Sequence, residues 1–162
     1  MNQLNVSINC DKWETETGFN DWQKQLQSVL DTTISTMNLR DCDVNLLLTD
    51  DFEIQQLNHT FRNVDVPTNV LSFPQFESSE ELILDVNNIC IGDIAMAYQT
   101  IKKEAIEFQK LFFNRSTHLF VHGVLHLLGL NHVEVDERVN MEQLETTILA
   151  QFGIKDPYIV GA

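Results

Sequence analysis

Between His122 and His132 the chain reads His122-Gly123-Val124-Leu125-His126-Leu127-Leu128-Gly129-Leu130-Asn131-His132, and this run constrains everything around it. Two histidines four apart share one helix face, one turn above the other, so both imidazoles can reach a single ion. Gly129 can take a positive φ and turn the chain sharply, which lets His132 fold back with a third nitrogen. The run therefore demands a helix that ends at a glycine. Three neutral imidazoles leave a tetrahedral ion one open position, the layout of a catalytic rather than a structural site. Zinc is the first choice by ligand type, and nickel or copper compete for such a site in vitro.

The spacing H-x-x-x-H-x-x-G-x-x-H is also that of the metzincin metalloproteases. Those enzymes place a glutamate directly after the first histidine, as general base for attack on a peptide carbonyl. Here that position is Gly123. The ligand set is kept while the proton acceptor for peptide hydrolysis is missing.

The remaining pattern is that of an α+β chain forming one domain over residues 1–162, with strands dominating the first half and helices the second. Leu4, Val6 and Ile8 alternate as in a half-buried strand, and Asp43 to Leu48 is a second strand. Phe19 to Met37 carries a helical stripe. Thr49, Asp50 and Asp51 supply caps for a helix whose apolar positions include Phe52, Ile54, Leu57 and Phe61. Asn69 to Phe73 ends at Pro74, which fits a strand at a sheet edge. Leu82 to Val86 and Ile89 to Ile91 read as a hairpin turning at Asn87 and Asn88. From Asp93 onward the pattern predicts helices over Ile94 to about Phe108, Leu111 to Leu128 and Asp136 to about Phe152. Gly129 stands where a left-handed residue closes the middle helix.

Charge restricts the partners. The 24 acidic against 10 basic residues give a net charge of −14, which excludes an indiscriminate polyanion binder and a polybasic membrane anchor. No stretch approaches the roughly 18 apolar residues of a membrane span. The N-terminal residues lack the basic and apolar regions of a signal peptide. Cys10, Cys42 and Cys90 are odd in number and far apart, as expected of buried free thiols in a reducing cytoplasm.

A second polar segment lies between apolar residues: Leu57-Asn58-x-x-x-Arg62, then Asp65-x-Pro67-Thr68-Asn69-Val70-Leu71-Ser72-Phe73-Pro74. Together with Ile91-Gly92-Asp93-Ile94, the triple-histidine run, Met141-Glu142-x-Leu144-Glu145 and Asp156-Pro157-Tyr158, it resembles the YbeY family of bacterial rRNA-maturation endoribonucleases. The resemblance spans about Asp43 to Tyr158 and implies a mixed sheet of about four strands packed with helices, the histidine-bearing helix lying across it. It implies a zinc-dependent, single-strand-selective endoribonuclease that matures the 3′ end of small-subunit rRNA and serves ribosome quality control. By the family motif one zinc ion is held by His122, His126 and His132, and Arg62 is the functional arginine. The implied partners are single-stranded ribosomal RNA and the ribosome or its small subunit, with neither DNA nor membrane expected. The chain departs from the family at Leu130 and Asn131, where Tyr-Asp is usual, and at Asn69, where many members carry an acid.

In chemical terms the reaction is phosphodiester cleavage. Arg62 offers a planar fork to non-bridging oxygens, and its bland alternative is a surface arginine paired with Asp65. His118, one turn before His122, is either a donor or proton shuttle behind the site or simply a packed or exposed histidine. His59 is a candidate for the cleft, Ser72 and Thr68 suit turn or strand-end hydrogen bonds, and Phe112, Phe113 and Phe120 suit a helix core. Two other functions compete: a metal-dependent hydrolase of another substrate class, such as a peptidase, and a non-catalytic ribosome-assembly factor. Residues 101–133 carry Lys102, Lys103, Lys110 and Arg115 against Glu104 and Glu107, a local positive excess within the acidic chain. That distribution predicts RNA entering one local positive cleft.

Overall fold

The computed structural model describes residues 1–76 and 89–161. Alternation at its start makes strand β1 (Leu4–Ile8), and a single helical turn α1 (Lys12–Thr15) leads into the long helix α2 (Phe19–Thr36). Strand β2 (Cys42–Thr49) follows, then helix α3 (Asp51–Arg62), capped by the Asp50 side chain accepting the Glu53 N–H at 2.9 Å. Strands β3 (Val70–Pro74) and β4 (Ile89–Ala97) precede helices α4 (Tyr98–Glu107), α5 (Phe112–Leu127) and α6 (Val135–Ala150). The fold is α+β with a four-stranded sheet in the order β1-β2-β4-β3. β1, β2 and β4 run parallel, and β3 pairs antiparallel to β4 at the edge. The strand and turn expected over Leu82 to Asn88 lie outside the described residues.

One correction concerns β4. Ile94 to Ala97 continue the strand, where the pattern had predicted the start of a helix. β4 is central and pairs on both sides, and Ile94, Ala95, Met96 and Ala97 are all buried. A strand covered on both faces loses polar alternation and reads as a continuous apolar run.

Register decides which side chains meet which layer. Val6, Leu46, Ile94 and Ser72 lie opposite one another across the four strands. Leu46 and Ile94 are buried in the main core with residues of α2, α5 and α6. Trp13 and Trp22 stack in this core at 5.6 Å, and Trp22 Nε1 donates to Thr117 Oγ1 of α5 at 2.9 Å. Phe120 is buried there, with Phe112 and Phe113 packed against it, as expected of core aromatics.

The next row back, Asn5, Asn45, Asp93 and Phe73, faces the other way. On that rear side Ile54, Leu71, Ala95 and Ala97 form a smaller apolar cluster beneath α3. The expected α3 stripe is therefore only partly buried. Phe52 points about 200° around the helix from Ile54, and Phe61 sits in the last turn; they are 73% and 64% exposed. Cys10 and Cys42 are buried free thiols, whereas Cys90 is exposed because its strand position faces the uncovered rear.

Two glycines make the architecture that the site needs. Gly92 follows a break in the β2–β4 register, at φ 148°, and a Cβ there would lie 2.4 Å from the Phe73 carbonyl oxygen. Gly123, in α5, lies against the sheet: a Cβ would be 3.1 Å from both Ile94 Cδ1 and Ser72 Oγ. Ser72 Oγ donates to the Gly123 carbonyl at 3.1 Å, so its hydroxyl ties edge strand to helix rather than closing a turn. The side chain that serves a protease at this position has no room here, and it would point into the sheet.

Candidate metal centre

Helix α5 delivers its two histidines from the last turns before a tight stop. The Gly129 N–H donates to the His126 carbonyl and the Leu130 N–H to the Leu125 carbonyl, with Gly129 at φ 94°. These are the paired bonds of a Schellman closure. The chain then returns so that the His132 ring centre lies 5.5 Å from that of His122 and 5.1 Å from that of His126. One ligand atom from each of the three lies within 4.8 Å of the others. The three histidines singled out in the sequence thus converge in space.

The ring nitrogens are assigned by their partners. His126 Nδ1 faces the Leu130 carbonyl at 2.8 Å, and His122 Nδ1 faces Glu145 Oε2 at 3.4 Å. Both Nδ1 atoms therefore carry the proton and donate it. The two Nε2 atoms are left with lone pairs, and they face each other at 3.0 Å. Two lone pairs at that distance repel unless a cation lies between them. Metal–nitrogen bonds of about 2.0–2.1 Å give a tetrahedral edge of roughly 3.3 Å, close to what the rings adopt. The residues present fit a tetrahedral metal with an open position. Burial, then the neighbouring His122, push the His126 imidazolium down to about 4, which keeps a neutral ligand available near neutral pH.

Behind the ligands lies a group that motif reading did not single out for a role. Glu145 of α6 is completely buried. It accepts His118 Nε2–H at 2.6 Å, the Tyr158 hydroxyl at 2.7 Å and, through its other oxygen, His122 Nδ1–H. Burial alone would push its carboxyl up, but the hydrogen bonds from His118 and His122 prevail and hold it down to about 2. His118 is buried, and desolvation, the largest cause, holds its imidazolium below the usual range against the opposing pull of Glu145. Its Nδ1 takes a bond from Arg115 at 3.3 Å, and Arg115 is anchored by Glu104 at 2.9 Å. Glu104 in turn accepts the Asn69 amide at 3.0 Å. A signal for Glu145 was present in the sequence: it is a carboxylate on the same α6 stripe as Met141, Ile148 and Leu149, all buried.

The Leu130 backbone carbonyl orients His126 and Glu145 orients His122, so neither ring depends on an acid at position 131. Glu145→Gln replaces one acceptor oxygen with an amide donor facing an N–H or O–H. We expect it to weaken zinc affinity about 10- to 100-fold, read by competition with a chelating dye, and unchanged affinity would remove Glu145 from the site.

A cleft of about 470 Å³ opens in front of the imidazoles, walled by Arg62, Asn69, Ser72, Pro74 and Asn131 as well as the three histidines. Arg62 reaches it from the end of α3. Its Nη2 donates to the Ser72 carbonyl, and its guanidinium lies 5.8 Å from the Phe73 ring centre. It does not pair with Asp65, which accepts the Gln55 amide instead. His59 is exposed on α3 and is not part of the cleft wall. The cations of residues 101–133 do not line it either: Lys102 pairs with Glu16 and Arg115 with Glu104. Among the described residues, the cationic side chain of the cleft is Arg62.

Convergent neutral imidazoles, an open approach and an arginine on the same wall suit metal-assisted hydrolysis of an anionic ester. The family model described as Endoribonuclease YbeY matches residues 7–153, and the chain belongs to that family. It is 38% identical to Endoribonuclease YbeY of Sinorhizobium fredii, covering 98% of this chain and 94% of that protein. A relative of the same name from Nitrobacter winogradskyi is 38% identical over 94% of this chain and 80% of its own. A solution structure from Thermotoga maritima has the same fold, with a TM-score of 0.55 at 23% identity over 94% of this chain and 92% of that one. Among the described residues no helix is long and apolar enough to cross a membrane.

Proposed function

We propose that this endoribonuclease holds one zinc ion with His122, His126 and His132 and cleaves single-stranded ribosomal RNA, maturing the 3′ end of the small-subunit RNA. The observation that carries the metal assignment is the pair of facing Nε2 lone pairs with His132 beside them. When bound, the ion supplies Lewis acidity toward a phosphoryl oxygen and makes a neighbouring water more acidic. The protein's own groups do the rest. Glu145 and the Leu130 carbonyl hold two imidazoles in one tautomer and one orientation. Arg62, on the cleft wall, presents a charged fork to non-bridging phosphate oxygens and stabilises charge that grows at phosphorus.

Family membership supports RNA as the substrate, and the absence of a carboxylate after His122 speaks against a peptidase. Arg62 is the cation lining the cleft among the described residues, so selection by charge alone is weak. The chain's net charge of −14 makes sequence-blind binding of bulk RNA unfavourable at physiological salt. The test offers the same small-subunit RNA 3′ segment as a single strand and annealed to its complement. Cleavage of the strand with little cleavage of the duplex is expected. Equal cleavage of both, or turnover of a peptide panel without RNA cleavage, would overturn the reading. If Arg62→Ala supports normal subunit maturation and no nuclease survives purification, the protein is an assembly factor instead.

A further inference from the structure

The rear face of the sheet carries a second cavity, of about 560 Å³, separated from the histidine cleft only by edge strand β3. Asn45, Asp93 and Phe73 of one cross-strand row line it, and Asn5 continues that row on β1 beside it. Asn5 donates to Asn45 at 3.1 Å and Asn45 to Asp93 at 2.9 Å, which lines up amide and carboxylate groups beneath an open space. One wall is the end of α3, where Phe61 is 64% exposed and meets Phe73 edge-on at 5.3 Å. Arg62, the next residue, instead lines the histidine cleft and donates to the Ser72 carbonyl. The two cavities thus meet at one lip, formed by Phe61, Arg62 and Phe73.

We infer that the rear cavity is a base-binding subsite for single-stranded RNA, in which an unpaired base next to the phosphate at Arg62 stacks on Phe61. The inference rests on the endoribonuclease reading above. Several observations favour a base over other occupants. An exposed aromatic ring is a stacking surface for any base. Asn45 and Asp93 offer hydrogen-bond groups at the depth where a base edge would lie, and a carboxylate suits amino and imino N–H donors. The cavity lining includes Asp93 and neither lysine nor arginine, so it repels phosphate while Arg62 attracts it. Charge thus sorts the nucleotide, with the base inside and the phosphate at the lip. A duplex cannot present a splayed base across the edge of β3, so the subsite accounts for strand selectivity that the acidic shell alone does not.

The test compares Phe61→Ala and Phe61→Trp in the zinc-loaded protein, using a single-stranded RNA segment and following KM and kcat separately. Phe61 is mostly exposed, so folding and zinc content are expected to stay unchanged. Phe61→Ala is expected to raise KM about 10-fold, within the range of a lost base–aromatic stack, with kcat little altered, and Phe61→Trp is expected to restore it. Photocrosslinking with 4-thiouridine in that RNA is expected to label the peptide containing Phe61. An unchanged KM in Phe61→Ala, with cleavage still dependent on zinc and Arg62, would overturn the subsite and leave the nuclease standing. Loss of small-subunit binding with naked RNA unaffected would likewise overturn it, and assign the groove to a protein partner. No RNA cleavage by the unmodified protein would instead sink the reading on which the subsite depends.

Discussion

Replacing His122 and His126 together by alanine is expected to reduce bound zinc from about one per chain to background and to abolish RNA cleavage. Both rings belong to one helix and share one face, and their Nε2 atoms face each other at 3.0 Å. His132 alone, on an exposed turn, cannot hold the ion. The fold itself should survive. Glu145 loses one donor but keeps His118 at 2.6 Å and Tyr158 at 2.7 Å, so no buried carboxylate is left unpaired. Zinc at a thousandfold excess over its dissociation constant stabilises a protein by about 4 kcal/mol. The melting temperature of the unmodified chain should therefore rise with zinc, and that of the double variant should not. Full cleavage by the metal-free double variant would sink the assignment.

Arg62→Ala is expected to lower kcat about 100- to 1,000-fold while leaving zinc content unchanged. That is the size of effect seen when one donor aimed at developing charge is removed. The separation of the two readouts follows from the structure. Arg62 bonds the Ser72 carbonyl on the open edge of β3, whereas the histidines are oriented by Glu145 and by the Leu130 carbonyl. Losing the Ser72 contact costs about 0.5–1.5 kcal/mol of stability at most, since water can reach that edge. Arg62→Lys keeps the charge but not the planar fork, and partial activity is expected. Wild-type activity in Arg62→Ala would return this residue to the surface.

Local signals made part of this legible in the sequence. The i, i+4 histidines and the glycine stop predict the α5 end and its trio because helix geometry and Schellman closure are local. Asp50 capping α3 and Pro74 ending an edge strand were readable for the same reason. What failed was non-local. Ile94 to Ala97 read as helix because a strand buried on both faces has no alternation, and only the pairing with β2 reveals it. Phe61 stands among the apolar positions of α3, and the spacing alone does not tell that it is 64% exposed while Ile54 is buried. The role of Glu145 lay 23 residues beyond His122, and nothing in either segment alone says that they meet. The local positive excess over residues 101–133 was a property of sequence, not of the cleft, since Lys102 and Arg115 spend their charge on Glu16 and Glu104.

The most direct measurement is a titration of zinc into metal-depleted protein, recording bound zinc per chain and the initial rate of single-stranded RNA cleavage in the same samples. The rate should rise in proportion to bound zinc, reach its plateau at one ion per chain, and stay at background throughout for the His122→Ala plus His126→Ala variant. Cleavage at the full rate before any zinc is bound, or equal cleavage by that variant, would contradict a catalytic metal at these three histidines.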